Sequence, residues 1–153
     1  MATLSASDRL DMIELQNVYA WGIDGKDAGQ FRNVFTDDVD AQYTTLMRMQ
    51  GREQLSLWLE TFHAPYDGTQ HLFTNFAFTS DDDGVLMRSY VVANLFVHAY
   101  PGGENFVSHG YYLDRVVQAE DGWRVRSRQI INLWREGNVG LLDVGQQAVQ
   151  NSR

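Results

Sequence analysis

Two side chains, distant in the chain, have residue types and settings suited to proton transfer. Asp24 lies at the predicted C-terminal end of the first helix, where the helix dipole disfavours an anion by roughly 0.3–1 kcal/mol. A carboxylate there is either a turn residue that caps the next segment or a group held beside a basic partner. His71 is the obvious partner, because an imidazole oriented by a carboxylate can act as a general base near neutral pH. The alternative is a core histidine whose hydrogen bonds are satisfied within the protein.

The strand that begins with TQHLFTN is expected to cover His71 on either face. Side chains alternate along a strand, so the sequence predicts two sets of residues that each share a face. One set is His71, Phe73, Asn75 and Ala77, and the other is Leu72, Thr74, Phe76 and Phe78. Both sets are largely apolar, which predicts burial of the imidazole.

Five further residues could line a ligand pocket beside this pair. Asn94 interrupts the apolar run SYVVANLFVHAY, and a buried amide must find a partner or a ligand unless it lies at an edge or a bulge. Arg128 precedes the apolar QIINLW and could reach inward to an oxyanion, although arginines on strands are usually solvated. His109 could line the same pocket. Tyr19 and Tyr43 are more often core residues, but an aromatic pocket requires such side chains.

The other two histidines are predicted to lie at the surface, because His63 precedes Pro65 and His98 is near the Pro101 turn. The chain has no cysteine, so a zinc site would need histidines and carboxylates, and none of the spacings HxH, HxxxH or HExxH occurs. GxGxxG, GxxxxGK[ST] and GxSxG are also absent, so nucleotide binding and a hydrolase nucleophile lack support. The sequence therefore predicts no metal site.

The spacing of apolar residues along the chain predicts the helices and strands that position these residues. Helical spacing predicts a first helix capped by Ser7 and closed by Gly25, a short second helix capped by Asp27, and a third helix after Gly51. A short strand at 39–43 lies between the last two. From residue 70 the period changes to two, which predicts long strands over 70–79, 85–100, 105–119 and 123–135. Residues 137–153 are predicted to form a short helix or an arm that contacts a partner.

This order predicts an α+β domain over residues 1–153, with N-terminal helices packed on one face of a curved, mostly antiparallel sheet. Long strands joined by short turns curl into a cone whose mouth the helices close. The expected ligand site is an apolar pocket between sheet and helices.

Length, charge and apolar content argue against several classes of function. The 153 residues suit one domain, and 12 basic against 20 acidic residues give a formal charge of −8. Nucleic-acid or anionic-membrane binding is therefore not expected. No apolar run reaches the roughly 18 residues that span a bilayer, and the N-terminus lacks a secretory signal pattern. We expect a cytoplasmic protein.

The order and spacing of four segments resemble the SnoaL-like branch of the NTF2-like superfamily. The segments are VYAWGIDGKDAGQFRNVFTDDV, TQHLFTN, SYVVANLFV and GYYLDRVVQAEDGWRV. The chain is most similar to the cofactor-independent lyases of that branch, which include scytalone dehydratase, bile acid 7α-dehydratase and hexachlorocyclohexane dehydrochlorinase. The resemblance implies a cone-shaped α+β barrel and no cofactor. It also implies a hydrophobic small-molecule substrate and a homo-oligomer, a trimer or a dimer, built on the open sheet face.

The resemblance assigns residues to this site. It implies a catalytic dyad of Asp24 and His71, with Tyr19 matching a tyrosine of the bile acid enzyme. Asn94 falls where that enzyme has a pocket acid, and an amide cannot serve as a second acid. Arg128 is an approximate match to a family arginine. The second pocket histidine of scytalone dehydratase has no counterpart on the strand around Asn94.

Three functions follow as hypotheses. The first is a cofactor-independent lyase or isomerase acting on a hydrophobic, oxygenated small molecule through the dyad. The second is a non-catalytic ligand-binding module on the same fold, because fold alone does not fix function. The third is the small subunit of a ring-hydroxylating dioxygenase, which shares the fold and lacks the chemistry.

Overall fold

The computed structural model describes residues 4–44 and 47–152, which form four helices and six strands. In chain order the elements are α1 (Ala6–Asp24), α2 (Ala28–Arg32), β1 (Phe35–Thr44), β2 (Met47–Gln50), α3 (Arg52–His63), β3 (Gly68–Asp81), β4 (Gly84–Phe96), β5 (Asn105–Ala119), β6 (Gly122–Gly137) and α4 (Leu141–Asn151). Within the described ranges, no helix combines the length and the apolar character needed to cross a membrane.

The first helix begins two residues earlier than its sequence predicts. Ser5, and not Ser7, is the N-cap, because its hydroxyl accepts the Asp8 backbone N–H at 3.0 Å. The Asp8 carboxylate in turn accepts the Ser5 backbone N–H at 3.0 Å, which completes a capping box. The predicted end is confirmed: α1 stops at Asp24 and Gly25 is its C-cap. Asp24 is thereby fixed on the last turn of the helix.

The six strands form one sheet in the order β2-β1-β6-β5-β4-β3. All neighbouring pairs are antiparallel except β1 and β6, which run parallel. The predicted α+β class, with helices against a mostly antiparallel sheet, is confirmed. Several strand boundaries differ from the prediction. Strand β1 begins at Phe35 and not at residue 39, and β2 is an additional strand. Strand β4 stops at Phe96 because the chain turns there, with Val97 donating to the carbonyl of Glu104.

A β-bulge in β3 changes which residues face the helices. The register against β4 shifts between Thr74 and Ala77, and Asn75 has a positive φ of 57°. The extra residue moves Phe76 and Phe78 to the face that carries His71, where both pack against the main core. The predicted grouping of His71 with Asn75 and Ala77 is therefore wrong beyond the bulge. We call the helix-facing side of the sheet the inner face and the opposite side the outer face.

The segment after β6 folds back on the same chain. Helix α4 packs against α3, its first residue Leu141 is fully buried, and the Tyr66 hydroxyl donates to the Leu141 carbonyl at 2.8 Å. Gly145 allows this close approach, because a Cβ there would lie 2.6 Å from the ring of Phe62. The predicted short helix is thus present. Arg153, the end of the predicted arm, lies outside the described residues.

Candidate active site

The structure brings Asp24 and His71 together at the junction of α1 and β3. Nδ1 of His71 lies 2.8 Å from Oδ1 of Asp24, and the backbone N–H of His71 donates to Oδ2 at 2.8 Å. The Thr69 hydroxyl donates to Oδ1 at 2.9 Å. Three donors therefore compensate a carboxylate that stands at the unfavourable end of a helix. The side chains are 5% exposed for His71 and 19% for Asp24.

The protonation state of the acid fixes the tautomer of the imidazole. Burial alone would raise the pKa of Asp24, but hydrogen bonds and charge attraction from His71, with the bond from Thr69, bring that pKa below its usual range. An ionised carboxylate can only accept hydrogen bonds, so Nδ1 of His71 carries the proton. Nε2 of neutral His71 is then an unprotonated nitrogen, the atom that a general base uses.

Two tyrosines extend the site from α1 and β1. The Tyr19 and Tyr43 hydroxyls lie 3.0 Å apart, and the Tyr19 ring meets the His71 ring edge-on at a centroid distance of 6.1 Å. Burial, with repulsion from neighbouring phenols, raises the pKa of both tyrosines well above the usual range, against the opposing effect of Arg128. Both are therefore neutral phenols that can donate a hydrogen bond.

His63 is a residue of this region that the sequence did not assign to it. The prediction that it lies at the surface is wrong: it is 7% exposed, and its ring centroid is 5.7 Å from that of His71. Burial, together with repulsion from His71, lowers the pKa of His63 to about 3, despite a hydrogen bond to the Leu59 carbonyl. Pro65 suggested a surface turn, but the histidine is the last residue of α3 and points inward. Its place four residues after Leu59 and one after Phe62 on the buried stripe of α3 was the available signal.

Arg128 does reach inward, but an acid of the chain holds it. Its guanidinium makes two 2.8 Å bonds to Asp114 and a 3.0 Å bond to Gln16, and both charged side chains have no exposed area. The guanidinium also lies over the Tyr19 ring at 4.4 Å and the Tyr112 ring at 4.5 Å. The alternative that Arg128 faces solvent is therefore wrong. The guanidinium does point inward, but it binds the Asp114 carboxylate and not an oxyanion of a ligand. Sequence reasoning missed Asp114 because its partner is on a neighbouring strand.

Asn94 and His109 point away from this site. His71 pairs with Ala93 across β3 and β4, so the next residue, Asn94, faces the outer side of the sheet. His109 pairs with Val92 on that outer face and stacks on Trp134 at a centroid distance of 4.5 Å. Their predicted place in the pocket is therefore wrong. Strand alternation is visible in the sequence, but which parity faces the helices depends on strand pairing.

Two cavities lined by residues of the described ranges lie away from the Asp24–His71 pair. One of about 360 Å³ lies on the outer face, lined by Leu86, Leu113 and Gln129 among others. The other, of about 250 Å³, is lined by Asn75, Arg88 and Tyr90. The expected pocket between sheet and helices is thus not matched by these cavities. Within the described part of the chain, no group of three or more histidine and acidic side chains is arranged to hold a metal ion.

Known proteins match this chain over most of its length. A family profile described as a SnoaL-like domain matches residues 5–129. An uncharacterized protein of Mycobacterium tuberculosis, Rv2910c, is 27% identical over 129 residues, which are 84% of this chain and 87% of that protein.

Solved structures agree with the fold. The Kfla4162 protein of Kribbella flavida is 26% identical, with a TM-score of 0.82 over 90% of this chain and 97% of that one. A hexachlorocyclohexane dehydrochlorinase, LinA Type2, is 18% identical, with a TM-score of 0.75 over 89% and 95% of the two chains. At that identity the second likeness concerns the fold alone.

Proposed function

The chain belongs to the SnoaL-like domain family, and from that premise we propose that it is a cofactor-independent lyase or isomerase. Its substrate is a hydrophobic, oxygenated small molecule, and its base is His71, oriented by Asp24. The single observation that carries the proposal is the 2.8 Å contact between Nδ1 of His71 and the Asp24 carboxylate, made inside the protein.

The proposed reaction begins with proton abstraction. Nε2 of His71 takes a proton from a carbon next to a carbonyl group. The electron pair of the broken C–H bond forms an enolate, which either expels a leaving group from the neighbouring carbon or takes up a proton at another carbon. The imidazolium returns its proton to the leaving group or to that carbon, so His71 ends neutral and the balance closes. General acid–base help of this kind contributes about 10²–10⁴-fold to the rate.

Asp24 serves this cycle in two ways. Its carboxylate accepts Nδ1–H at 2.8 Å and so keeps Nε2 unprotonated before the reaction. When His71 becomes cationic, the same carboxylate stabilises the positive charge, in surroundings where little water weakens the attraction. The Asp24 carboxylate at the end of α1 therefore favours the proton transfer, although the helix dipole disfavours its negative charge before His71 is protonated.

Tyr43 and Tyr19 are proposed to assist at the oxygen where negative charge develops. Both hydroxyls are neutral, because burial raises their pKa, and they share a hydrogen bond at 3.0 Å that uses one of the two O–H groups. The other O–H remains to donate, and a donor held in place before the reaction stabilises an enolate oxygen more than water does. Since His71 is almost covered, the aromatic side chains around the pair must move apart to admit a substrate.

The test uses a probe whose only requirement is a base at carbon. 5-Nitrobenzisoxazole loses a ring proton, its N–O bond breaks, and the coloured 2-cyano-4-nitrophenolate forms. We expect the wild-type protein to accelerate this elimination and His71→Ala to lower kcat/KM by about 100-fold or more. His98→Ala is the matched control, because the His98 side chain is 81% exposed and lies outside the site.

A fall of less than about tenfold in His71→Ala would count against the proposal, as would an equal fall in the His98→Ala control. If the wild-type protein retains the probe without converting it, the domain is better described as a ligand-binding module.

A further inference from the structure

A second histidine, from helix α3, lies beside the proposed base on the inner face of the sheet. His71 begins the inward part of β3, whereas His63 is the last residue of α3. The two rings lie edge-to-face at a centroid distance of 5.7 Å, and the residues are 8% and 7% exposed. Both ring nitrogens of a buried histidine normally have hydrogen-bond partners, so the partners of each nitrogen in these two rings indicate what the rings can do.

The hydrogen bonds of His63 leave one nitrogen with a free lone pair. Nδ1 lies 2.7 Å from the Leu59 carbonyl oxygen, and a carbonyl can only accept, so Nδ1 carries the proton. The ring is neutral, because its pKa is about 3. Nε2 is therefore an acceptor. Among residues 4–44 and 47–152, no group forms a hydrogen bond with this atom.

The two rings have different chemical abilities. His71 is bonded to a carboxylate, which favours the cation, and His63 to a neutral carbonyl. A proton gained by His71 further disfavours the charged form of His63 through repulsion. His63 consequently stays neutral while His71 cycles. With its only N–H committed to Leu59, His63 can accept a hydrogen bond but cannot protonate a leaving group.

We propose that His63 is a specificity-determining residue whose Nε2 accepts a hydrogen bond from a hydroxyl that the substrate retains, beside the carbon from which His71 removes the proton. This inference rests on the proposed function and narrows its substrate class. A hydroxyl bonded to an acceptor leaves less readily, so the group bound by His63 is not the one eliminated. The rings of Phe62 and Tyr66 pack around the imidazole, which favours a hydroxyl on a flat, apolar ring system.

A binding experiment with two matched probes tests this assignment. 2-Naphthol donates a hydrogen bond, whereas 2-methoxynaphthalene has the same ring system and no donor. Titrations followed by probe fluorescence give the ratio of the two Kd values for the wild-type protein, His63→Phe and His63→Gln. One hydrogen bond of ordinary strength corresponds to a preference for naphthol of about 5–10-fold.

We expect that preference in the wild-type protein, its loss in His63→Phe, and its retention in His63→Gln, whose amide oxygen can occupy the place of Nε2. Thermal unfolding of each variant checks that it folds. If His63 served only to end α3, the substitutions would change Tm and leave the preference unaltered.

Two results would overturn the inference. One is equal binding of the two probes by the wild-type protein. The other is a preference that survives His63→Phe, and its loss in His71→Phe would then assign the acceptor to His71. The experiment requires no turnover, so its failure is distinguishable from a failure of the proposed reaction. Conversely, a retained preference with no elimination activity would support the acceptor and reject the base.

Discussion

Two acid–base pairs of the described residues lie on the inner side of this sheet, and their contacts hold the two partners in different ways. The side chains of Asp114 and Arg128 have no exposed area, and the guanidinium makes a bidentate contact with the carboxylate and a further hydrogen bond to Gln16. In the pair of Asp24 and His71, the imidazole contacts the carboxylate through Nδ1 alone, and among the described residues no group bonds its Nε2. The difference teaches that burial of an ion pair does not by itself indicate chemistry, whereas an imidazole with one nitrogen left unbonded marks a candidate for proton transfer.

The largest expected effect is a loss of activity on substitution of Asp24, the acid of the proposed catalytic pair. Asp24→Asn is expected to lower the elimination rate by about 10²–10⁴-fold, because an amide can donate to Nδ1 and favour the tautomer whose Nε2 is already protonated. Steady-state kinetics on 5-nitrobenzisoxazole measure this loss. If Asp24→Asn keeps the wild-type rate, the two pairs do not differ in the way proposed.

The second effect separates the pairs by stability. Asp114→Asn removes one charge of a fully buried pair and leaves the guanidinium uncompensated, which typically costs about 3–5 kcal/mol of unfolding free energy. Urea unfolding of Asp114→Asn and Asp24→Asn gives the comparison, and the Asp24 variant is expected to lose less because its carboxylate is partly exposed. Equal losses would contradict the distinction.

Much of this arrangement followed from local sequence, and the rest needed strand pairing. Gly25 and Asp27 marked the end of α1 and the start of α2, which left Asp24 at the junction, and the change of period located β3 and its histidine. The outward orientation of Asn94 could not be predicted in this way, because alternation defines two faces without saying which one the helices cover.

Contacts between residues distant in the sequence could also not be predicted from local patterns. Arg128 meets Asp114 across neighbouring strands and Gln16 across the sheet–helix interface, and none of these spacings is a local signal. His63 was misassigned because a nearby proline outweighed its place on the buried stripe of α3. The bulge at Asn75 likewise depends on a register that the sequence does not display.

A third, smaller effect concerns pH and the histidine next to the pair. The unfolded chain binds a proton at His63 near pH 6.5, whereas the folded protein does so only near pH 3. The unfolding free energy should therefore rise with pH across this window, at up to ~1.4 kcal/mol per pH unit. This stability is complete above the unfolded pKa and is lost as the pH falls toward the folded one.

Urea unfolding at several pH values between about 6.5 and 4.5 measures this slope, since most carboxylates titrate below that range. His63→Gln should flatten it, and His98→Ala should leave it unchanged. A slope that persists in His63→Gln would show that another group carries the pH dependence.

The smallest effect tests the assignment of faces. Asn94→Ala alters the outer face, so we expect a change in unfolding free energy within about 0.5 kcal/mol and a rate within about twofold of the wild type. The same kinetic and urea assays apply. A large loss of activity would mean that Asn94 reaches the site after all, against its pairing with Gln70.

Carbon-acid exchange tests the central claim most directly, because elimination and isomerisation share proton abstraction as their first step. Proton NMR can follow loss of the α-protons of 2-tetralone, an apolar ketone, in deuterated buffer. The account predicts that the wild-type protein accelerates the exchange and that His71→Ala reduces it to the buffer rate. Equal exchange with both proteins would contradict the assignment of His71 as the base.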